Sequence, residues 1–382
     1  MIYSAGSRKR KESVAGKKTE TVKSVNVSLG GIPTGRLALR PDGISVFEYS
    51  DQWLQQGFSI SPLHLPLRPG LFTAKRDPFD GLFGVFSDSL PDGWGTLLID
   101  RWLRKQGIEP GSLTPPDRLT LVGNNGMGAL SYEPEQGLKG IQENPDIDQL
   151  ALKIQKILKE EGNSGLEQLI RMGESSGGAR PKVMIRIEDV DWLIKFPASS
   201  DPDGIGALEY QYSIIARQCG INMPETKLFS GKYFGVRRFD RIAGRRIHVH
   251  SAGGLFYASF RLPSLDYTSL IKAVMAITAD IQEAGKMFRL MVFNVLTGNR
   301  DDHAKNFSFL YDDGRWWLSP AYDLVSSYGF NGFHSTTISG SGKPSRSDIF
   351  KVAELTGFPM QQARAIFDQV FESCKEIRIK GF

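Results

Sequence analysis

Two short segments near the C-terminal end constrain this chain more than any other feature. The first is Asn299-Arg300-Asp301-Asp302-His303-Ala304-Lys305-Asn306-Phe307, which follows a strongly helical stretch ending at Gly298. The second is Pro320-Ala321-Tyr322-Asp323-Leu324. Between them, Phe307–Tyr311 and Arg315–Leu318 read as strands around the tight turn Asp312-Asp313-Gly314. A hairpin returns a chain close to where it began. Asp323 is therefore expected beside Asp301 and Asn306, although it lies seventeen positions beyond Asn306. Any fold this chain adopts must bring a helix end, a polar loop and a hairpin together around three oxygen-bearing side chains.

The chemistry of that trio is specific. An Asp, an Asn five positions later and a second Asp across a hairpin is the spacing of a protein-kinase catalytic loop. There Asp301 would orient the attacking hydroxyl, while Asn306 and Asp323 would hold Mg²⁺. Hard oxygen donors suit Mg²⁺ bridging nucleotide phosphates. Lys305 could neutralise charge on the transferred group. The alternative is a solvated polar loop with a helix cap. Such a centre also needs a lysine on a strand and an acidic partner on the next helix. Lys195 lies in Leu193-Ile194-Lys195-Phe196, where apolar neighbours would bury its stem, and Glu209 sits in the helix that follows. Read alone, Glu209 fits a plain solvated helix position better than a buried partner.

A phosphate-cradling loop is expected one hairpin before Lys195. Gly173-Glu174-Ser175-Ser176-Gly177-Gly178-Ala179-Arg180-Pro181-Lys182 stands there, with Gly177, Gly178, Ala179 and Lys182 as candidate nucleotide contacts. A rival glycine-rich stretch, Gly123 to Gly128, has no lysine strand behind it and reads as a structural turn. His248 and His250 flank Val249 at strand spacing. Two histidines without a third ligand do not make a metal site, so a surface or hydrogen-bonding role is expected.

Composition narrows the classes. The chain has 382 residues, 40% hydrophobic and 23% charged, which permits a normal core and two or more lobes. Cys219 and Cys374 are too few for a disulfide framework and too far apart in sequence for a zinc knuckle. They read as small buried residues in a reducing, cytoplasmic setting. No run of 18 apolar residues occurs, so neither a transmembrane helix nor a membrane partner is expected. The net charge is +5, and the leader carries all of it. Seven basic residues lie between Arg8 and Lys23, against Glu12 and Glu20. That leader reads as a solvated disordered tail or as a contact to nucleic acid.

Residues 1–24 are therefore taken as a basic disordered leader. Residues 25–140 are expected to form a β-rich subdomain that opens with a meander over 25–49. Its stretch Leu119 to Leu130 reads as a glycine-rich turn between short strands. Residues 141–240 would be the nucleotide-binding part of the N-terminal lobe, and 241–382 a helical C-terminal lobe carrying the catalytic loop. The order of strands, a mixed lobe and then helices makes the fold class α+β with two lobes.

At these residues the chain resembles the HipA family, the serine/threonine kinase toxins of bacterial toxin–antitoxin pairs. Asp301-Asp302-His303-Ala304-Lys305-Asn306-Phe307-Ser308 is similar to that family's catalytic loop. Leu318-Ser319-Pro320-Ala321-Tyr322-Asp323-Leu324 is similar to its magnesium segment. Ile194-Lys195-Phe196-Pro197 and Arg238-Phe239-Asp240-Arg241 resemble its nucleotide-lysine strand and interlobe segment. The early meander and Phe86-Ser87-Asp88-Ser89-Leu90-Pro91-Asp92 resemble its N-terminal subdomain.

The resemblance implies a protein-kinase-like fold with ATP and Mg²⁺ as cofactors and Asp301 as catalytic base. Lys195 would hold the nucleotide phosphates, and the backbone around Arg237, Arg238 and Phe239 would meet adenine. His303, Lys305 and Tyr322 would line the nucleotide site. Ser175, seven positions before Lys182, or its neighbour Ser176, would be a site of self-silencing autophosphorylation. The implied partners are a helix-turn-helix antitoxin (HipB-like), operator DNA through that antitoxin or through the basic tail, and a protein substrate such as an aminoacyl-tRNA synthetase.

The chain departs from the family pattern at Arg180, where Gln is usual, and at Asp302, where glycine is frequent. It also departs at Pro181 and Arg237, where an acid is common. Two other readings share these residues: a DNA-associated co-regulator built on a kinase fold, and a small-molecule or lipid kinase.

Overall fold

A computed structural model describes residues 21–138, 144–173, 178, 180–259 and 263–379. Most of the basic leader, together with Ser175, Ser176, Gly177 and Ala179, lies outside the described residues.

The opening meander consists of β1 (Ser24–Leu29), β2 (Ile32–Leu39) and β3 (Ser45–Tyr49). It is antiparallel, with Val25 opposite Leu37 and Leu37 opposite Phe47. β4 (Phe72–Thr73) and β5 (Leu130–Glu133) flank it, giving the order β4-β3-β2-β1-β5. Alternation along a strand sends every second side chain to one face. Val25, Val27, Leu37 and Phe47 use that face to bury themselves against Leu82, Phe83 and Phe86. Helices α1 (Asp51–Gln56), α2 (Gly84–Ser87), α3 (Gly93–Lys105) and α4 (Pro115–Val122) complete this region.

Helix α4 overturns the expectation of a turn between strands at its start. Thr114 and Asp117 form a reciprocal capping box, and Pro115 occupies the first helical turn. Leu119 to Val122 are therefore helical and buried, and only the glycine stretch after them leads into a strand. The cap signal lies just upstream of a window whose composition is dominated by glycine.

Helices α5 (Ile147–Leu158) and α6 (Leu166–Gly173) precede a second antiparallel sheet. It is built from β6 (Lys182–Ile187), β7 (Val190–Lys195), β8 (Thr226–Phe229) and β9 (Tyr233–Arg237), in the order β6-β7-β9-β8. Helix α7 (Ile205–Gln218) joins β7 to β8. Leu98 of α3, Ile154 of α5 and Leu169 of α6 share one apolar cluster with Val183, Ile185 and Ile194 of this sheet.

A short ribbon, β10 (Arg241–Ile242) and β11 (Arg245–Arg246), leads into β12 (His248–Ser251) and the five-residue α8 (Ala252–Phe256). β12 is a third strand beside the predicted hairpin, β14 (Ser308–Asp312) and β15 (Arg315–Leu318), in the order β12-β14-β15. The remainder is helical: α9 (Tyr267–Thr278), α10 (Ile281–Thr297), α11 (Arg346–Thr356) and α12 (Met360–Ser373). A short parallel pair, β13 (Leu265–Asp266) with β16 (Thr336–Thr337), ties the loop after β15 to the start of α9. Helix α10 is buried on nearly every side from Leu290 to Thr297 and is the axis of the largest core. That core reaches Tyr212 of α7 and Phe234 of β9, so helices and second sheet share one interior.

The surface alternative for His248 and His250 does not hold: both are buried. The loop around Ile60 lies across β12, an overlap no local pattern announces. His248 Nε2 donates to the Ile60 carbonyl at 2.9 Å. His250 Nδ1 donates to Asp88 at 2.7 Å, and its Nε2 meets the Ser61 hydroxyl at 3.0 Å. The hydrogen-bonding part of the expectation is what the structure contains. Close by, α2 and α8 touch through backbone, since a Cβ on Gly84 would lie 2.1 Å from the Gly254 carbonyl oxygen. Cys219 and Cys374 are both buried and unbridged. Among the described residues no helix is long and apolar enough to cross a membrane.

Candidate active site

Lys195 ends β7, directly opposite Lys182 at the start of β6. Buried Ile194 and Phe196 flank it and sink its stem into the interior. Its ammonium donates to the carboxylate of Glu209 on α7 and to Oδ1 of Asp323, and lies 5.4 Å from the centre of the Phe234 ring. Glu209 is thus a buried partner; the solvated-helix alternative fails because α7 turns that face onto the sheet.

Burial works against the Lys195 charge, but Asp323 and Glu209 outweigh it and hold the ammonium pKa above its ordinary value. The same balance holds the Asp323 carboxyl well below the usual range: burial opposes it, and the Lys195 and Lys182 ammoniums prevail. Lys182 goes the other way. Burial pushes its pKa down, Lys195 adds to the effect, and the carboxylates of Asp323, Glu209 and Asp92 only partly offset it.

The catalytic-loop segment hangs from α10, which Gly298 ends in the left-handed conformation at φ 67°. Buried Asn299 donates through Nδ2 to the Asn294 side chain at 3.1 Å and to the Asp323 carbonyl at 3.2 Å, joining loop and hairpin exit. Asp323 itself takes φ 56°, a conformation uncommon for a residue with a side chain. The Asn306 amide nitrogen donates to the Asp301 carbonyl at 2.7 Å, and the Asp301 N–H donates to Ser327 Oγ at 2.7 Å. Desolvation by the surrounding walls raises the Asp301 carboxyl pKa; nearby Asp323 and Asp302 add to this, and His303 counters it.

Asp302, one position on, turns away from the cavity and is buried. It accepts from Tyr267 Oη at 3.0 Å, His334 Nδ1 at 2.9 Å and the Ser335 and Thr336 N–H groups at 2.9 and 3.2 Å. This carboxylate anchors the loop, an assignment the sequence does not suggest because every partner lies more than thirty positions away. Asp92 was equally hidden. It stands just before α3, and both its oxygens accept from Lys305 Nζ, at 2.8 and 3.0 Å.

These side chains face one cavity of ≈ 510 Å³, within the range of small-molecule pockets. Lys182, Lys195 and Glu209 line it from one side, Asp301, Asn306 and Asp323 from the other, with Gly178 and Arg180 at the rim. His303 and Lys305 also face it. At a third wall, the rings of Phe239 and Tyr322 stack with centroids 5.7 Å apart. Tyr322 Oη donates to the Lys305 carbonyl at 2.7 Å, and burial raises its pKa.

Arg237 and Arg238 line the same wall, but their guanidinium groups are committed elsewhere. Arg237 approaches Glu225 at 3.9 Å, and Arg238 forms a fork on Asp240 at 2.8 and 2.6 Å. Asp240 also accepts from the Gly128 N–H, while Arg241 donates to the Gly126 and Gly128 carbonyls. The Gly123–Gly128 loop is therefore held in place by arginines. Among the described residues no three His, Cys, Asp or Glu side chains form a ready-made metal cage.

Comparison with known proteins finds two family domains along the chain. Residues 25–133 match the HipA N-terminal domain, and residues 174–377 match the HipA-like C-terminal domain. A putative kinase of Sinorhizobium fredii is 25% identical over 332 residues, covering 79% of this chain and 77% of that protein. The serine/threonine-protein kinase toxin HipA of Shewanella oneidensis is 23% identical over 342 residues, covering 79% and 75%. The solved complex of Shewanella oneidensis HipA, HipB and operator DNA contains a chain of similar fold. That match has a TM-score of 0.69 at 19% identity and covers 92% of this chain and 90% of the other.

Proposed function

We propose a function from one premise: the chain belongs to the HipA family. It is read as an ATP- and Mg²⁺-dependent serine/threonine-protein kinase that acts as the toxin of a toxin–antitoxin pair. The observation that carries this reading is the ammonium of Lys195. It is shared between Glu209 and Asp323 in the cavity that Asp301 and Asn306 also line. A buried lysine paired with a helix carboxylate, with a second carboxylate beside the catalytic loop that could hold magnesium, is the arrangement kinases use for phosphoryl transfer.

In this reading the nucleotide lies between residues 141–240 and 241–382. Its base meets the Arg238–Phe239 backbone and the Tyr322 ring, and its phosphates meet Lys182 and Lys195. The residues fit a hard cation. The Asn306 nitrogen is committed to the Asp301 carbonyl, so its amide oxygen is the donor left, and Asp323 keeps Oδ2 beside the oxygen taken by Lys195. Bound there, Mg²⁺ would neutralise phosphate charge. Asp301 receives the hydroxyl proton of the acceptor; desolvation raises its carboxyl pKa, which makes it a stronger base than a free carboxylate.

The finer roles rest on family membership. Ser175 or Ser176 would take a phosphate in the glycine segment, where nearly two negative charges would compete with those of the nucleotide. A helix-turn-helix antitoxin would be the partner, with operator DNA reached through it, and the substrate would be a protein of translation such as an aminoacyl-tRNA synthetase.

The test is phosphotransfer from labelled ATP by Asp301→Asn. A loss of about 10²–10⁴-fold is expected, with Mg-ATP still raising the melting temperature. Undiminished transfer by that variant would refute the reading.

A further inference from the structure

Beyond Asp323 the chain makes a short excursion that touches the catalytic loop at several points. The Ser327 N–H donates to the Gly298 carbonyl at 3.0 Å, and Ser327 Oγ accepts from Asp301. On the return, the Ser335 N–H donates to the Arg300 carbonyl at 3.0 Å, and Thr336 donates to the Asp302 carbonyl. Residues 327–336 therefore bracket residues 299–302 on both sides. The tip is Phe330-Asn331-Gly332-Phe333, closed by the Phe333 N–H on the Phe330 carbonyl at 3.0 Å. Asn331 at φ 54° and Gly332 at φ 76° are both left-handed, as a tight two-residue hairpin turn demands.

This rigid excursion displays what a folded chain normally hides. Tyr328 is 75% exposed, Phe330 72% and Phe333 43%. Nothing in the core explains three open aromatic rings in six positions, and aromatic rings on a preordered support are typical anchors of a recognition surface. Its charge is also one-sided. Tyr328, Arg300 and Lys343 line a second cavity whose lining contains no Asp or Glu, and the Lys343 ammonium lies 4.5 Å from the centre of the Phe333 ring.

The second cavity adjoins the first residue by residue. Asn299, Asp301 and Ser327 face the main cavity, while Arg300 and Tyr328, each one position away, face the second. An extended peptide advances about 3.3 Å per residue. With its hydroxyl at Asp301, its next few residues reach the aromatic tip and the two cations.

We infer that Tyr328, Phe330 and Phe333, with Arg300 and Lys343, form the docking surface for the protein substrate. It receives the extended segment on one flank of the accepted serine or threonine, through an apolar residue on the rings and an acidic residue at the cations. This rests on the kinase reading above and goes further by giving the substrate a chemical signature. The occupant is a substrate peptide rather than a permanent partner, because both arms of the excursion are tied to the catalytic loop, Ser327 to Asp301 on the way out and Ser335 and Thr336 to Asp302 on the return.

The experiment is an array of peptides with a central Ser or Thr and each flanking position varied, labelled with radioactive ATP. The wild-type chain should select an apolar and an acidic residue on the same flank. Tyr328→Ala with Phe330→Ala should raise KM for the preferred peptide about tenfold with kcat within about twofold. K343E should exchange the acidic preference for a basic one. These side chains are exposed, so the melting temperatures of the variants should match the wild type. A selectivity unchanged by the variants, a flat wild-type array, or labelling of the chain itself with no labelled peptide would each overturn the docking surface. So would release of a helix-turn-helix partner by the variants with peptide KM unchanged. No labelling of peptide or chain would instead overturn the kinase reading.

Discussion

Lys305 and Asp92 are 213 positions apart in the chain, yet the lysine ammonium lies within 3.0 Å of both oxygens of the carboxylate. The region of the first sheet thus supplies a charged wall to a cavity otherwise lined by the second and third sheets, the 299–306 loop and the hairpin exit at Tyr322 and Asp323. The pair is mostly shielded from water, at 14% and 15% side-chain exposure, so screening weakens it little.

Asp92→Asn should therefore be felt at the site. A charge-assisted bond of this kind is worth about 1.5–3 kcal/mol, and urea unfolding should record a loss in that range. Phosphotransfer should fall about tenfold, because a loosened Lys305 no longer holds one orientation. Wild-type stability and rate in this variant would show that the contact has no part in the site.

Glu209→Gln should cost up to about 3 kcal/mol, since it removes one of two partners from a buried ammonium. Adding Lys195→Met removes the stranded charge and should recover most of that stability, while phosphotransfer stays abolished. Urea unfolding of the two single variants and the double variant measures the coupling. Strict additivity would contradict the shared ion pair.

Asp302→Asn tests the anchor beneath the catalytic loop. The new amide would point a donor at donors, since Tyr267, His334 and two backbone N–H groups all give hydrogen bonds to this carboxylate. About 3 kcal/mol of stability should be lost, and phosphotransfer should drop with it because Asp301 is the next residue. Thermal unfolding and the rate, measured together, check both.

His248 predicts an acid limb in stability. Its Nε2 serves the Ile60 carbonyl, while Nδ1 has no partner among the described residues, so a second proton would sit buried and unsatisfied. Burial accordingly lowers its pKa from 6.5 to about 4. Between those values the unfolded chain binds the proton and the folded chain does not. Stability should rise with pH across the window and level off outside it, by about 3 kcal/mol from this group. His248→Phe keeps the ring against Phe58 and Trp316, and should flatten that slope in urea titrations at pH 4.5 and 7. An unchanged slope would assign the limb to other groups.

What could be read in advance was whatever depends on near neighbours in the chain. The β14–β15 hairpin follows from Asp313-Gly314 between alternating strands, and with it the approach of Asp323 to Asp301 and Asn306. Lys195 and Glu209 are fourteen positions apart, within reach of a strand-to-helix reading. Asp88, Asp92 and Asp302 are ordinary polar residues in their own windows and acquire meaning from partners 32 to 213 positions distant. Burial of His248 and His250 has the same origin, because the covering loop at Ile60 lies 188 positions earlier. The α4 cap is different: Thr114-Pro115-Pro116-Asp117 was legible, and the glycines after it concealed it.

The bare crossing of Gly84 and Gly254 bears on how freely such a chain can exchange its parts. Any side chain on Gly84 would meet carbonyl backbone, which cannot rotate aside. A hybrid grafting the front of one relative onto the back of another would need a glycine on both sides of that crossing, or the seam would open and carry Asp92 away from Lys305. In this chain the two segments are fitted to each other at bare backbone, so the molecule is less a pair of interchangeable cassettes than one casting.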